Sequence, residues 1–416
     1  MPDIIIVGGG IAGLTAAITL QERGVDWLLL EAADDVGGRI RTDIVNGFRL
    51  DRGFQVLLTA YPEAQALLNY EGLRLRTFDP GALIRLDNGF TRFVDPTRRP
   101  LSAVSTALSP AATLRDKLLT VAMKRRSRKM SLSDIFSEDE QSASKWLNDF
   151  GFSSRVIERF FRPFFGGVFL DPALDTSTRM LDFTFSMFNT GAAAIPALGM
   201  QEIPRQLASS LPPDRIRLNC PVGSIDGTGV TLTSGERLAA KTVILAVEEP
   251  AAAKLVPEIP SPQSQRSVRC LYFGCRKPPA EQPILVLNGT GSGPVNNLCV
   301  PSLVAPDYAP EGQHLVSATV LDSHSDDSAA LESQVVTQMQ DWFGKSVEKW
   351  QHLRTYHIGY ALPDQSPGRQ DARGETARLR DSLIVCGDFR EHGSIQGAMQ
   401  SGRRAAELVP KSDSFA

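Results

Sequence analysis

The stretch Asp3-Ile4-Ile5-Ile6-Val7-Gly8-Gly9-Gly10-Ile11-Ala12-Gly13-Leu14 decides the fold. Ile4 to Val7 form a β-branched apolar run without polar alternation, the pattern of a strand buried on both faces of a sheet. An Ala- and Leu-rich segment follows the glycines and runs to Arg23, with Gly24 as a natural stop. Trp27-Leu28-Leu29-Leu30 reads as a second apolar strand that ends at Glu31. The three pieces make one βαβ unit. Gly8, Gly10 and Gly13 stand between strand and helix, the context a dinucleotide-binding turn needs. Gly8 permits the tight turn, Gly10 lets backbone approach a pyrophosphate, and Gly13 lets helix and strand pack closely. The helix start at Ile11 and Ala12 offers unpaired N–H groups and the positive end of the helix dipole to phosphates. Glu31, eighteen residues after Gly13 and followed by Ala32, places a carboxylate where ribose hydroxyls can bond. A ligand-free glycine turn would explain the glycines but not the acid at this spacing.

Working outward, the 416 residues exceed one small core and predict two domains. Hydrophobic residues at 42%, charged residues at 22% and a net charge of −3 fit an ordinary globular chain and call for no nucleic-acid partner. Five scattered cysteines and five scattered histidines give neither a disulfide framework nor a metal cluster, so a reducing compartment and no metal are expected. Strand-like residues begin at Asp3, leaving no room for a signal peptide, and no apolar run is long enough to span a bilayer. A cytoplasmic protein, open to peripheral membrane contact, is the expectation.

Residues 110–150 read as helical, with a basic run at Lys124, Arg125, Arg126, Arg128 and Lys129. Residues 216–247 read as short strands around a turn at Ser234-Gly235-Glu236, residues 266–320 as further strands, and 328–343 as one amphipathic helix. Gly289, Gly291 and Gly293 repeat the glycine spacing loosely, but Pro294 follows and no helix pattern does. This stretch reads as a loop, leaving one nucleotide fold and no separate NADH site. Ser382 to Cys386 form a last apolar strand running into Gly387-Asp388. A small-residue helix from about Gln396 to Leu408 and a short tail from Pro410 close the chain.

Glu31, then Gly37-Gly38-Arg39, then Asp51-Arg52-Gly53 resemble the opening of the FAD-dependent amine oxidase and phytoene-desaturase superfamily. Val385-Cys386-Gly387-Asp388 with Gly393-Ser394-Ile395-Gln396-Gly397-Ala398 and Ser401-Gly402-Arg403 resembles that family's C-terminal FAD motif. Pro221-Val222, ahead of Val243-Ile244-Leu245-Ala246, is a third match. The resemblance implies an α/β chain with a glutathione-reductase-type, Rossmann-like FAD domain and a mixed α+β substrate domain. It assigns 1–75, 205–265 and 370–416 to the first, and 76–204 and 266–369 to the second. It implies Gly38 and Arg39 against the phosphates, and Gly53, Phe54 and Gln55 in the cofactor loop. It places Val222 backbone at the adenine, Gly387 and Asp388 at the ribityl chain, and Ile395, Gln396 and Ala398 at the flavin edge. N–H groups at that helix start could stabilise charge on the reduced flavin. No pair of residues identifies itself as a catalytic acid and base.

Phe160-Phe161-Arg162-Pro163-Phe164-Phe165-Gly166-Gly167-Val168-Phe169 lies in a region, 150–188, that holds ten of the chain's twenty phenylalanines. With Pro196-Ala197-Leu198-Gly199-Met200 it resembles the carotenoid and squalene-linked desaturase branch more than the monoamine oxidases. An apolar substrate tunnel and a filled helical core both account for it. Flavin amine oxidases carry an aromatic wall at the position that matches Ser394, and here that wall is missing. Lys277, between a strand-like segment and Pro278-Pro279, reads as solvated. The basic run follows Leu114, Leu118, Leu119, Val121 and Ala122. It suits either an anionic membrane surface or a solvated helix end. The resulting expectation is dehydrogenation of a small, apolar substrate by hydride transfer to FAD, with oxygen or a quinone as acceptor. An amine or amino-acid oxidase, a redox-neutral flavin isomerase and a non-catalytic flavin-binding protein are the alternatives.

Overall fold

The computed structural model describes residues 2–94, 109–321, 328–369 and 377–410. Most of the expected tail lies outside these, and each expected domain includes some residues outside them. The predicted βαβ unit forms as Ile4–Val7, the helix Ile11–Glu22 and Trp27–Leu30. Gly24 follows the helix in the left-handed region (φ +68°) and donates its N–H to Gln21 O.

These two strands are central in a six-stranded sheet. Its order is Ile216–Arg217, Trp27–Leu30, Ile4–Val7, Thr242–Leu245, Leu383–Val385 and Arg378–Arg380. All neighbours pair in parallel except the last two strands. Ile4 stands between Trp27 and Thr242, and Val243 faces Leu383. Parallel pairing leaves both faces needing cover, which is why Ile4–Val7, Trp27–Leu30 and Leu383–Val385 are apolar at every position. Ile4, Ile6, Leu29, Ile244 and Ile384 point to the face carrying the first helix and the C-terminal helix Ile395–Glu407. Ile5, Val7, Val243, Leu245 and Val385 point to the other face. There they pack with Val230 and Leu232 of a small sheet built from Val222–Asp226, Gly229–Leu232 and Arg237–Ala239.

A second sheet of seven strands has the order Gln351–Pro363, Gln265–Cys275, His314–Leu321, Val295–Cys299, Leu285–Asn288, Gly81–Leu86, Gly89–Val94. One face is covered by Ser328–Phe343, the amphipathic helix read from sequence, through Leu331, Val335 and Met339. The opposite face joins the main core. Gly289 to Gly293 form the loop of the antiparallel hairpin between Leu285–Asn288 and Val295–Cys299. The Asn288 carboxamide organises that loop, accepting from Thr290 and Gly291 and donating to Ser292 O and Val295 O.

The helical segment contains Leu114–Lys129, Leu132–Ser137, Ala143–Asp149, a π-turn at Ile157–Phe161, Arg162–Phe169 and Thr178–Thr190. Phe161, Phe165 and Phe169 are at most 2% exposed and stack down one helix face, so this side of the Phe-rich stretch is core. Phe160 and Phe164 are half-buried and stack on each other on the other side. No described helix is long and apolar enough to cross a membrane.

Candidate active site

The N-terminal turn is shaped by close backbone approach. Gly8 has φ +109°, and a Cβ there would stand 2.5 Å from Ala246 O, so only glycine fits against the neighbouring strand end. A Cβ on Gly13 would overlap Gly8 O, while one on Gly10 would meet nothing within 4 Å. Gly10 therefore faces open space at the N-terminus of a helix that has no side-chain cap and no acid in its first turn. The N–H groups of that first turn, around Ile11 and Ala12, have no intrahelical acceptor.

Glu31 closes the turn from the next strand. One carboxylate oxygen accepts the Gly9 N–H at 2.6 Å and the other the Ala33 N–H at 2.8 Å. Each oxygen keeps a further lone pair for a hydroxyl donor. Ala32 is exposed beside it. The Glu31 carbonyl accepts from Cys220 N–H, and Ala33 O from Asn219 N–H, which brings the start of Val222–Asp226 alongside this acid.

Gly37 N–H donates to Gly9 O at 2.9 Å, so the loop carrying Gly38 and Arg39 folds back over the glycine turn. Arg39 makes contacts that sequence reading did not foresee. Its guanidinium donates to Asp388 at 2.6 Å and to Ala361 O at 2.8 Å, and lies 5.4 Å over the Tyr360 ring. The Tyr360 hydroxyl donates in turn to Glu249 at 2.9 Å. Burial would lower the Arg39 pKa, but the Asp388 carboxylate outweighs it and holds the group more firmly protonated than usual. The resemblance implied Arg39 at phosphates and Asp388 at a ribityl chain; here each is the other's partner.

The Gln55 amide donates to Arg39 O at 3.0 Å and to Arg52 O at 3.3 Å, while its own oxygen is buried and has no donor among the described residues. Gly53 has φ +94°, and Phe54 packs edge-on against Phe78. Two residues earlier, the buried Asp51 accepts from Thr42 Oγ1 at 2.5 Å, Met200 N–H at 2.9 Å and the Tyr308 hydroxyl at 2.8 Å. Burial pushes its carboxyl up to about 6 even against those three donors.

The C-terminal stretch arrives at the same place. Gly387 N–H donates to Ser401 Oγ, and the buried Asp388 follows at the end of the strand Leu383–Val385. Ser394 caps the helix Ile395–Glu407 by accepting the Gly397 N–H at 3.0 Å. Gln396 accepts the Glu63 N–H at 2.9 Å, and Ile395 and Ala398 are half-buried against the core. Gly402 lies so close to Ala12 that a Cβ would overlap the Ala12 carbonyl oxygen. His392, buried, lies 5.4 Å from the Phe136 ring and 4.5 Å from Phe183, and its Nδ1 is 3.0 Å from Ser394 Oγ. Tyr61 stacks on Phe183 at 5.9 Å, and burial drives its hydroxyl well above the ordinary tyrosine range despite the Ser394 partner.

The residues present fit a dinucleotide. An uncapped helix N-terminus faces open space, a buried carboxylate holds the turn with spare acceptor capacity, and Gln55, whose amide nitrogen bonds the Arg39 and Arg52 carbonyls, has a buried oxygen without a donor among the described residues. All border the junction of the chain's two ends. The sequence model of the flavin containing amine oxidoreductases matches residues 11–410. The chain belongs to that family. The family is one of flavin-containing oxidoreductases.

Among its relatives, protoporphyrinogen oxidase 2 (chloroplastic/mitochondrial) of Arabidopsis thaliana is 30% identical over 39% of this chain and 32% of its own length. The carotenoid phi-ring synthase of Streptomyces griseus is 31% identical over 46% of this chain and 39% of its own. These matches thus span only about a third of those relatives. The coproporphyrinogen III oxidase of Mycobacterium tuberculosis (strain ATCC 25618 / H37Rv) is 25% identical over 97% of this chain and 96% of its own. Solved structures share the fold. An oxidoreductase from Methanosarcina mazei superposes with a TM-score of 0.74 at 16% identity, covering 96% of this chain and 98% of that one. Cyclohexylamine oxidase from Brevibacterium oxydans IH-35A gives 0.69 at 18% identity, covering 98% of each. The α/β class expected from the glycine turn, and the kinship expected from the two end motifs, are both met.

Proposed function

We propose that this enzyme dehydrogenates a lipophilic, unsaturated substrate by hydride transfer to FAD, with oxygen or a quinone as the final acceptor. The nucleotide half would be held by Gly8, Gly10, Ile11, Ala12 and Gly13, by Glu31 and Ala32, and by backbone at Val222. Gly38, Arg39, Gly53, Phe54, Gln55, Gly387 and Asp388 would hold the middle of the cofactor, and Ile395, Gln396 and Ala398 the ring end. Segments 1–75, 205–265 and 370–416 would form the FAD domain around the six-stranded sheet. Segments 76–204 and 266–369 would form the substrate domain around the seven-stranded one.

The observation that carries the substrate reading is the composition at the head of the C-terminal helix. Ser394, where amine oxidases carry an aromatic wall, uses its hydroxyl to cap Gly397 and to meet His392. Around it stand Phe136, Phe183 and Tyr61. The nearest carboxylates on the helix flank are tied up, Glu63 with Arg403 at 2.8 Å and Glu391 with Arg404 at 2.7 Å. An ammonium group would lose its hydration here without gaining a carboxylate, whereas an apolar C–H-bearing group loses little. The names of three relatives, a carotenoid enzyme and two porphyrinogen oxidases, favour an extended unsaturated substrate of this kind.

Bound flavin supplies the hydride acceptor and the redox chemistry. The protein's part is orientation and exclusion of water. The Phe side chains near His392 keep the ring end dry, and the first-turn N–H groups at Ile395 and Gln396 can stabilise negative charge beside them.

Anaerobic mixing of the FAD-loaded enzyme with an acyclic polyene, a porphyrinogen and a panel of primary amines and polyamines tests the reading. The flavin absorbance is expected to bleach with the polyene or the porphyrinogen. Bleaching by amines alone, with peroxide released on admission of air, would overturn it in favour of the amine oxidase alternative.

A further inference from the structure

We infer that the outer face of the helix Leu114–Lys129 is a docking surface for an anionic lipid membrane. The inference stands apart from the flavin reading, because its test needs no turnover.

Five large hydrophobic side chains are exposed among the described residues, and three belong to this one helix: Leu114 at 75%, Leu118 at 66% and Val121 at 46%. Their spacing of four and three residues puts them on one stripe, which Arg125 continues one turn later. Arg128 and Lys129 flank the end of the stripe, so it runs from apolar to cationic along a single outward face. Burying an apolar side chain is worth about 1.5–3 kcal/mol, so leaving three together in water is a cost that a surface covering them would remove.

The helix is not held in water by a weak start. Thr113 and Asp116 form a reciprocal capping box, with Asp116 N–H donating to Thr113 Oγ1 at 3.1 Å and Thr113 N–H to Asp116 Oδ2 at 2.7 Å. Its inner face is anchored too. Met123 and Ser127 are buried, and Arg126 pairs with Asp182 of the helix Thr178–Thr190 at 2.5 Å. Arg126 also pairs with Glu138 at 3.2 Å, which engages the acid beside the stripe, and lies 5.3 Å over the Trp146 ring. Arg125, Arg128 and Lys129 are exposed and form no ion pair among the described residues.

Charge selects the occupant. The chain as a whole is acidic, at net −3, yet this face presents exposed cations beside exposed leucines. A second copy meeting it about a two-fold axis would set the cations against each other in a parallel contact or against exposed leucines in an antiparallel one, and neither supplies a countercharge. An anionic bilayer complements both halves of the stripe, with Leu114, Leu118 and Val121 entering the acyl boundary and the cations staying at headgroup level. The location suits an entry for lipophilic material. The helix Thr178–Thr190, against which this one packs, also carries Phe183, which contacts His392 beside the C-terminal helix.

Co-sedimentation of the FAD-loaded, full-length protein with vesicles tests the assignment. Vesicles of equal parts phosphatidylcholine and phosphatidylglycerol are expected to bind it, and vesicles of phosphatidylcholine alone to bind it far less. Arg125→Gln/Arg128→Gln/Lys129→Gln should weaken binding to the anionic vesicles roughly a hundredfold and remove most of its salt dependence. Leu118→Ser/Val121→Ser should leave a weak attraction that moderate salt abolishes. Both variants change exposed side chains, and flavin absorbance and circular dichroism confirm that they remain folded. Parent protein that stays in the supernatant at low salt overturns the inference. So does equal binding of the parent and both variants, or a dimer in sedimentation equilibrium that Leu118→Ser/Val121→Ser dissolves.

Discussion

Asp51, at the end of the strand Phe48–Asp51, is a carboxyl held by three donors and still pushed up to about 6 by burial. A raised carboxyl pKa makes the folded state bind a proton that the unfolded chain releases near the ordinary carboxylate value. The stability it contributes is therefore complete below about pH 4 and lost as pH rises through about 6, a swing of about 3 kcal/mol. Asp51→Asn has no such titration. Its unfolding midpoint in urea, relative to the parent's, should move in the variant's favour between pH 4 and pH 7; a difference independent of pH would show that the carboxyl titrates normally. Glu31 makes a different case, because its acceptors serve two backbone donors and the proposed ribose together. Glu31→Gln keeps the shape but exchanges one acceptor for a donor. Loss of a charged hydrogen bond costs about 1.5–3 kcal/mol, so FAD titrated into the apo-protein should bind roughly ten to a hundred times more weakly. Unchanged affinity would remove Glu31 from the site.

Elements meet here through glycine rather than through large side chains. The first and last helices cross where Gly402 touches Ala12, near the end of the glycine turn. Gly402→Ala forces the helices apart, which costs about 1–3 kcal/mol and shifts the glycine turn. The variant should melt lower and purify with less FAD. Gly223→Ala, whose methyl would come no closer than 3.5 Å to Thr231 and Thr233 on the small sheet, should do neither. The strand, turn and helix at each end were legible because their signals are local: an apolar run, a fixed glycine spacing, an acid at a strand end. The Phe-rich segment was not, since Phe161 in a core and Phe160 at its edge look alike in sequence and only the π-turn tells their faces apart. Nor was the platform under Arg39. Tyr360 and Asp388 lie more than 300 residues downstream, and a ring beneath a guanidinium leaves no periodicity to read. Asp51 was visible as part of a motif. Its burial was not, because Tyr272 and Tyr308, which bond it, come from distant strands and turns.

The whole molecule is a chain whose two ends share one sheet and one candidate ligand. Ile4–Val7 and Leu383–Val385 are both bonded to Thr242–Leu245, and Arg39 pairs with Asp388 at the junction where FAD is proposed to bind. A ligand bound at that junction links segments far apart in sequence, so its binding energy adds to the stability of the entire FAD-binding half. Stripping the flavin should lower the unfolding midpoint in urea. Adding FAD back at a hundred times its dissociation constant should restore about 2.7 kcal/mol, with about 1.4 kcal/mol more for each further tenfold. Glu31→Gln touches only the nucleotide end, so it should displace this titration to higher FAD without changing its slope. Asp388→Asn should do the same and in addition lower the ligand-free midpoint, because it leaves the guanidinium of Arg39 beside a neutral partner. A midpoint that does not respond to FAD, in a protein that still binds it, would mean that the ligand rests on one end of the chain alone.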